Sequence, residues 1–195
     1  MYLGIDLGTS GVKSILIDDN QKIIAEQSSA PLAVSRPHRS WSEQNPDHWW
    51  AAVCQTLDGL AANNPRETSA IKSIGLSGQM YGATVLDASD KPLRPAILWN
   101  DTRTEKQCAD LEAAAPEIRS IAGRKPTPGV TAVKLTWLRD NEPDIFRKTS
   151  HVLLPKDYIR LQLSGDKASD MADSSGTMWM DVARREWSEA LLSAT

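Results

Sequence analysis

The N-terminal stretch reads Gly4-Ile5-Asp6-Leu7-Gly8-Thr9-Ser10-Gly11-Val12-Lys13, and apolar runs flank its glycine turn on both sides. Apolar residues alternate over residues 2–7, which predicts a strand that carries Asp6 close to its carboxyl end. A second strand is predicted to begin at Val12. Glycines such as Gly8 let a turn backbone approach a ligand closely. The amide groups of such a turn and the Thr9 and Ser10 hydroxyls suit phosphate oxygens.

The charged residues of this stretch fit the same interpretation. Asp6 can hold a hydrated Mg²⁺ as an oxygen ligand, and the Lys13 ammonium can meet a phosphate oxygen. An ordinary hairpin turn is the alternative, because Gly and Ser are common turn residues. In a plain hairpin, however, a carboxylate inside an apolar strand has no evident purpose.

The glycine turn differs from the two best-known phosphate-binding motifs. It lacks the G-x-x-x-x-G-K-[S/T] pattern of P-loops, and no helix follows the glycines as in a dinucleotide fold. It resembles the first phosphate-binding hairpin of the actin-like ATPases. Within that group, Asp6-Leu7-Gly8-Thr9-Ser10 resembles the FGGY family of carbohydrate kinases. The resemblance implies ATP and Mg²⁺ as cofactors, with Asp6 as a catalytic metal ligand and Gly8, Thr9, Ser10 and Lys13 at the nucleotide phosphates.

Composition sets limits on the function. The chain has 195 residues, 41% hydrophobic and 24% charged, with a net charge of −3. These values are typical of a globular protein and give no electrostatic reason to expect nucleic acid or an anionic membrane as a partner. Cys54 and Cys108 have no metal-ligand spacing, and reduced thiols are expected. No signal peptide or membrane span is evident, so we expect a cytoplasmic protein.

Strand and helix patterns alternate along the chain, which predicts an α/β fold. Strands are expected at residues 2–7, 12–18, 22–30, 71–77, 83–86 and 96–99. Helices are expected at about 46–63, 102–114, 131–139 and 155–163, the first with Asn45 as its N-cap and Pro46 in its first turn. The resemblance specifies the fold further, as a ribonuclease-H-like (actin-like ATPase) domain with a mixed central sheet flanked by helices.

The segment Gly78-Gln79-Met80-Tyr81-Gly82 leaves a predicted strand at its carboxyl end, where open α/β sheets bind ligands. Gln79 offers a donor and an acceptor, Tyr81 a hydroxyl, and Met80 an adaptable apolar wall, which together suit a small polyol. A glycine-flanked turn is the alternative. The segment resembles the sugar-contacting segment of a D-xylulose-phosphorylating branch of the family, with Tyr81 in the place of a His. Val130 stands where that branch would have an aromatic residue.

Trp99-Asn100-Asp101 follows another predicted strand and is expected to face the same cleft as a further part of the sugar site. A turn and helix cap is the alternative for Asn100 and Asp101. The resemblance extends through most of the chain. It includes Arg36-Pro37-His38, Trp41-Ser42-Glu43-Gln44, Arg94 to Asp101, Leu153 to Tyr158, Ser169-Asp170-Met171 and Gly176 to Trp179.

The resemblance implies ATP-dependent phosphorylation of D-xylulose to D-xylulose 5-phosphate. Residues 1–195 would form the N-terminal, sugar-binding domain of a two-domain kinase. The nucleotide-binding domain and the catalytic base, an Asp in a glycine-rich segment, would lie beyond Thr195, and the chain alone is expected to be inactive. The expected partners are sugar and ATP, and a homodimer is a further possibility for the whole enzyme.

Three alternatives stay open at this point. The chain could belong to a kinase of another sugar or polyol, such as L-ribulose, L-xylulose, gluconate or glycerol. It could be a non-catalytic sugar-binding module of the same fold. A ribonuclease-H-type nuclease would require a cluster of acidic residues around Asp6 and usually a basic face, and the net charge of −3 argues against it.

Overall fold

The computed structural model describes all residues from 1 to 195. Its strands are β1 (Tyr2–Leu7), β2 (Val12–Ile17), β3 (Ile23–Ser28), β4 (Glu43–Gln44), β5 (Ser73–Gly78), β6 (Thr84–Leu86), β7 (Ala96–Ile97), β8 (His151–Leu153), β9 (Met180–Asp181) and β10 (Glu186–Trp187). Its helices are α1 (Pro46–Asn63), α2 (Pro65–Ser69), α3 (Glu105–Ala114), α4 (Ile118–Ile121), α5 (Thr131–Asn141), α6 (Pro143–Lys148), α7 (Pro155–Ser164), α8 (Met171–Ser175) and α9 (Glu189–Ser193). No helix is both long enough and apolar enough to cross a bilayer.

The central sheet has the strand order β3-β2-β1-β5. The first three strands form an antiparallel meander, and β5 lies parallel to β1 after a crossover through α1 and α2. The predicted mixed sheet flanked by helices is confirmed. Because β1 and β5 run in the same direction, their carboxyl ends meet at one edge. At this edge the backbone amide of Gln79 donates to the Leu7 carbonyl at 2.7 Å, which extends the β1–β5 pairing by one hydrogen bond.

The two faces of β1 have different environments. Leu3, Ile5 and Leu7 are buried in the main core, whereas Asp6, on the opposite face, is exposed. This is the alternation that the sequence predicts for a strand with one buried face. The main core is completed by α1 and α7, through Trp49, Val53, Leu60, Tyr158 and Ile159.

Helix α1 has the predicted start and end. The Asn45 side chain accepts a hydrogen bond from the Asp47 amide at 3.0 Å, and Pro46 occupies the first turn. Trp49, Val53 and Leu60 are buried at helical spacing. Several short elements were not predicted: β4, β8, β9, β10, α2, α4 and α6. Each has only two to six residues, too few for a periodic pattern to show in the sequence.

A second region, formed by α3, α4 and α5 with the last residues of the chain, has its own apolar clusters. A buried network of charges joins it to the strand β4. Arg103 Nη2 contacts both Glu43 and Asp101 at 2.7 Å, and Arg94 contacts Glu43 at 2.5 Å. The Arg103 guanidinium also lies 3.6 Å from the ring centre of Trp41. The loop that carries Trp99 is thus attached to this network through Asp101.

Candidate functional site

The glycine turn and the Gln79 segment meet at the carboxyl ends of β1 and β5. The turn is closed by a hydrogen bond from the Gly8 amide to the Gly11 carbonyl at 3.0 Å. At its tip, the Thr9 hydroxyl donates to Gln79 Oε1 at 3.1 Å. Seventy positions separate these two side chains in the sequence, so the parallel pairing of the strands is what brings them together.

A third segment reaches the same point. Trp99 Nε1 donates to the Thr9 hydroxyl oxygen at 3.0 Å, and the Trp99 ring is 45% exposed. The structure therefore brings together Thr9, Gln79 and Trp99, which belong to three separate motifs of the sequence. Because the Thr9 hydroxyl both donates and accepts within the protein, its position is fixed before any ligand arrives.

Gln79 is buried and is held by a neighbour that the sequence analysis did not single out. Its Nε2 donates to Gln44 Oε1 at 3.0 Å, while Gln44 Nε2 donates to the Thr9 carbonyl at 2.8 Å. Trp49 Nε1 donates to the same Gln44 oxygen at 3.0 Å. Gln44 thus supports both the glycine turn and the Gln79 segment. Its only signal in the sequence was its place within the Trp41–Gln44 match.

Asp6 and Lys13 lie on the open face of the sheet. They are opposite each other in the β1–β2 ladder, and Ser77 is the neighbour of Asp6 on β5. Asp6 is exposed, whereas the Lys13 ammonium contacts Glu26 at 2.8 Å with both side chains half-exposed. Ser10, at the turn tip, is also exposed.

A groove of about 490 Å³ runs along this face and contains Asp6, Lys13 and Ser77. No group of three or more His, Cys, Asp or Glu side chains that could enclose a metal ion occurs in the chain. A metal held here by Asp6 would therefore take its other ligands from water and from a bound phosphate. Mg²⁺ is commonly held in this way.

Tyr81 adopts a left-handed backbone conformation, with φ of +62°. Its hydroxyl accepts a hydrogen bond from Arg124 Nη1 at 2.9 Å. Its ring lies against Gly176, where an added Cβ would come within 2.1 Å of a ring carbon, so only glycine fits. The neighbouring Met80 is 48% exposed. The Tyr81 side chain is thus fixed by partners from two later parts of the chain.

The Tyr81 backbone is fixed as well. Its carbonyl accepts from the Thr131 hydroxyl at 3.2 Å and from Lys134 Nζ at 2.7 Å. Lys134 is completely buried and donates a second hydrogen bond, to the Gly129 carbonyl at 2.7 Å. Burial lowers the pKa of Lys134 to about 7, although Asp101 acts in the opposite direction. Neither Arg124 nor Lys134 was singled out from the sequence.

Asn100 and Asp101 have different environments. Asp101 is completely buried and accepts from the Ser42 amide at 2.6 Å and from Arg103 Nε at 2.9 Å. Its carboxylate therefore faces the charge network and not the cleft, which differs from its predicted contact with sugar. The Asn100 Oδ1 atom is buried without a hydrogen-bond partner, so it retains the capacity to accept one.

A cavity of about 770 Å³ lies elsewhere: Thr131 is part of its lining, but Asp6, Thr9, Gln79 and Trp99 are not. It is lined mainly by α5, by β8 and by the last residues of the chain, with Leu135, Val152 and Trp187 among its apolar walls. Cavity volume is a weaker guide to the site than the convergence of polar groups from separate segments. The cleft at the ends of β1 and β5 is therefore the candidate site.

Comparison with known proteins identifies the family. The profile described as the FGGY family of carbohydrate kinases, N-terminal domain, matches residues 1–195. The chain belongs to the FGGY family of carbohydrate kinases. A xylulose kinase of Escherichia coli K12 is 51% identical over 194 residues, an alignment that covers 100% of this chain and 40% of the relative.

Solved structures of FGGY kinases have the same fold. A protein described as a xyloylose kinase, from Brucella ovis, matches with a TM-score of 0.96 at 54% identity, over 98% of this chain and 40% of that one. A gluconate kinase from Lactobacillus acidophilus matches with a TM-score of 0.90 at 25% identity, over 98% of this chain and 39% of that one. Because kinases named for different sugars share this domain, the fold alone does not specify the sugar. The chain spans about 40% of the length of these FGGY relatives.

Proposed function

We propose that residues 1–195 form the sugar-binding N-terminal domain of a two-domain kinase, with the nucleotide-binding domain in the rest of a longer protein. The proposed reaction is ATP-dependent phosphorylation of D-xylulose to D-xylulose 5-phosphate. The observation that carries this proposal is the hydrogen-bonded meeting of Thr9, Gln79 and Trp99. It supports the proposal because the glycine turn, for which we propose phosphate binding, lies next to a segment suited to a polyol. The 51% identity to a xylulose kinase supports the choice of sugar.

The sugar side of the cleft would be formed by Met80, Tyr81, Trp99 and Asn100. The exposed Trp99 and Met80 offer apolar surface for the carbon skeleton. The Asn100 oxygen without a partner can accept a bond from a sugar hydroxyl. Gln79 and Asp101 would act mainly by holding these residues in place, since their polar atoms are engaged within the protein.

The phosphate side would be formed by Asp6 and the glycine turn. Asp6 would hold Mg²⁺ in the presence of ATP, and Gly8, Thr9, Ser10 and Lys13 would lie near the transferred phosphate. The exposed, unpaired carboxylate at the groove fits a metal that keeps most of its water. The metal would neutralise phosphate charge, which is a large part of catalysis in phosphoryl transfer. The residues of this chain would position the two substrates.

We also propose that the protein is located in the cytoplasm. Both cysteines are free, as expected in the reducing cytoplasm. Homodimer formation by the whole enzyme stays a prediction.

The direct test is a panel of substrates with the full-length protein. D-Xylulose, L-ribulose, L-xylulose, gluconate and glycerol would each be supplied with ATP and Mg²⁺, and ADP release measured. We expect the highest kcat/KM with D-xylulose. A higher value with another sugar would leave a kinase but change its substrate, for which the replacement of the family's His by Tyr81 would be the first explanation. No phosphorylation of any sugar, with sugar binding retained, would favour a non-catalytic module.

Replacing Asp6 by Ala in the full-length protein tests the phosphate side. We expect kcat to fall by about 10²- to 10³-fold, the scale seen when one electrostatic contact to a reacting group is lost. The sugar dissociation constant, measured by calorimetry, should change little because Asp6 makes no contact with the sugar segment. Asp19→Ala, which removes an exposed acid in the β2–β3 turn, is the matched control. Unchanged turnover in Asp6→Ala would remove Asp6 from the mechanism.

A further inference from the structure

Lys134 is a buried lysine whose ammonium contacts no carboxylate. Its side chain has no exposed surface, and its Nζ atom donates to two backbone carbonyls, those of Tyr81 and Gly129, each at 2.7 Å. Lysine is almost never fully buried without a paired charge, because removing an ammonium from water is costly. A methionine or leucine would fill the same space without that cost. The amine must therefore contribute something that packing alone does not.

The first carbonyl belongs to the segment proposed to contact the sugar. Tyr81 has φ of +62°, a conformation that non-glycine residues rarely adopt and that persists only when the surroundings impose it. Lys134 supplies the shorter of the two hydrogen bonds to this carbonyl, and Thr131 supplies the other, at 3.2 Å. The two bonds hold the peptide in the orientation that directs the Tyr81 ring toward Gly176 and Arg124.

The second carbonyl belongs to the Pro128–Val130 loop, which packs against Trp99. A Cβ on Gly129 would come within 2.5 Å of the Trp99 carbonyl oxygen and 4.0 Å of the Tyr81 ring, so this loop approaches both residues closely. The Lys134 amine thus links the Tyr81 backbone to the Gly129 loop, which contacts Trp99. The glycine turn is held by a separate set of bonds, through Gln44 and Gln79.

We propose that Lys134 is a positioning residue of the sugar pocket, which sets the placement of Tyr81 and of the Trp99 loop without contacting substrate itself. The proposal rests on the proposed function, because it takes Tyr81 and Trp99 as sugar contacts. It predicts an asymmetric effect of mutation. Sugar affinity should depend on Lys134, whereas ATP affinity should not, since the glycine turn has independent support.

The test replaces Lys134 by Met in the full-length protein, which keeps the length of the side chain and removes its donors. We expect the KM and the calorimetric dissociation constant for D-xylulose to rise about tenfold, the size expected for loss of the two hydrogen bonds that the amine donates. The KM for ATP should stay within about twofold, a change smaller than that of one neutral hydrogen bond. A general loss of stability would not raise the KM for D-xylulose while leaving the KM for ATP unchanged.

Thr136→Val is the matched control, and Thr131→Val is a second test of the same contact. Thr136→Val removes a buried hydroxyl that bonds within the same helix, to the Val133 carbonyl, and touches neither of the two linked carbonyls. It should leave both KM values unchanged. Thr131→Val removes only the weaker bond to Tyr81 and should raise the sugar KM by about threefold, as expected for a neutral hydrogen bond. If Lys134→Met does not fold, Thr131→Val compared with Thr136→Val decides the question.

The outcomes separate this inference from the proposed function. One outcome is that the parent protein phosphorylates D-xylulose while the variants leave both KM values unchanged or raise those for sugar and ATP equally. In that case only the role of Lys134 is wrong. If the parent binds the sugar without phosphorylating it, the proposed function fails, and the ratio of dissociation constants still tests Lys134. A parent protein that binds no sugar of the panel overturns both.

Discussion

Lys134 and Tyr81 show how single residues acquire properties from their surroundings. In the sequence, Lys134 is one of the charged residues of the helix predicted at residues 131–139. In the folded chain it is completely buried, and desolvation lowers its pKa to about 7. Tyr81 adopts a left-handed conformation that its residue type disfavours. The buried lysine and the left-handed residue meet at the Tyr81 carbonyl, beside the proposed sugar pocket.

The lowered pKa of Lys134 predicts a dependence of stability on pH. Between pH values of about 7 and 10.5, the unfolded chain holds a proton on Lys134 that the folded chain has released. The free energy of unfolding should therefore rise with pH in this window, by at most about 1.4 kcal/mol per pH unit. The gain is lost progressively as pH falls from about 10.5 to about 7, below which both states hold the proton and this contribution stays constant.

Urea unfolding of the parent and Lys134→Met proteins, at pH values of about 6.5 and about 9.5, measures this contribution. The difference in unfolding free energy between the two proteins should shift in favour of the parent at the higher pH. Titration of Cys54 and Cys108, whose pKa values are raised by burial, is common to both proteins and cancels. Parallel behaviour at the two pH values would contradict a lowered pKa.

Among the elements, helix α1 has the clearest start and stop signals in the sequence, and its residues also support the candidate site. Its N-cap bond, from the Asp47 amide to Asn45, follows directly from the sequence. Its buried Trp49 holds Gln44, which in turn holds the glycine turn and Gln79. The start of the helix is also joined to α7, because the Tyr158 hydroxyl donates to Asp47 at 3.2 Å.

Replacing Asn45 by Ala should lower the free energy of unfolding by about 1 kcal/mol, because the side-chain cap of α1 is lost. Asn45→Asp is the matched variant, since a carboxylate can accept the same bond and also complements the helix dipole. Urea unfolding should place Asn45→Asp close to the parent protein. Equal stability of all three proteins would show that this cap contributes nothing.

At the scale of the protein as a whole, the roles proposed for the acidic residues of the site leave no carboxylate to accept the proton of the sugar hydroxyl. Asp6 is exposed and is proposed to bind metal, whereas Asp101 is buried against Arg103. The relatives are about two and a half times as long, since this chain covers 40% of them. We therefore expect the catalytic base, and most of the adenosine pocket, in the part of the protein outside residues 1–195.

Residues 1–195 expressed alone should show negligible ATP-dependent phosphorylation of D-xylulose, because the base and the nucleotide domain are missing. A coupled assay of ADP release measures this, with the full-length protein as the positive control. Circular dichroism and unfolding curves of the isolated chain would show whether it folds, so that inactivity is not mistaken for misfolding. Robust sugar phosphorylation by the folded isolated chain would show that its own residues suffice for catalysis.

Local patterns in the sequence were enough to predict the α/β class, the first three strands and the limits of α1, and they singled out three motifs of the candidate site. Alternation in residues 2–7, the cap at Asn45 and the glycine turn at Gly8–Gly11 are local signals, which depend on neighbours in the chain. The family resemblance added the sheet topology and the type of reaction. Strands of two or three residues, such as β4 and β8, gave no periodic signal and are defined only by their pairing.

Long-range packing, which the sequence does not show, distinguishes polar residues that are free at the candidate site from those that support it. Asp101 and Gln79 were both predicted to contact sugar, yet their polar atoms bond within the protein. The roles of Gln44 and Lys134 had no local signal, because the residues that they hold at the site, Thr9 and Tyr81, lie 35 and 53 positions away in the chain. The role of a polar side chain depends on its burial and its partners, and long-range packing sets both.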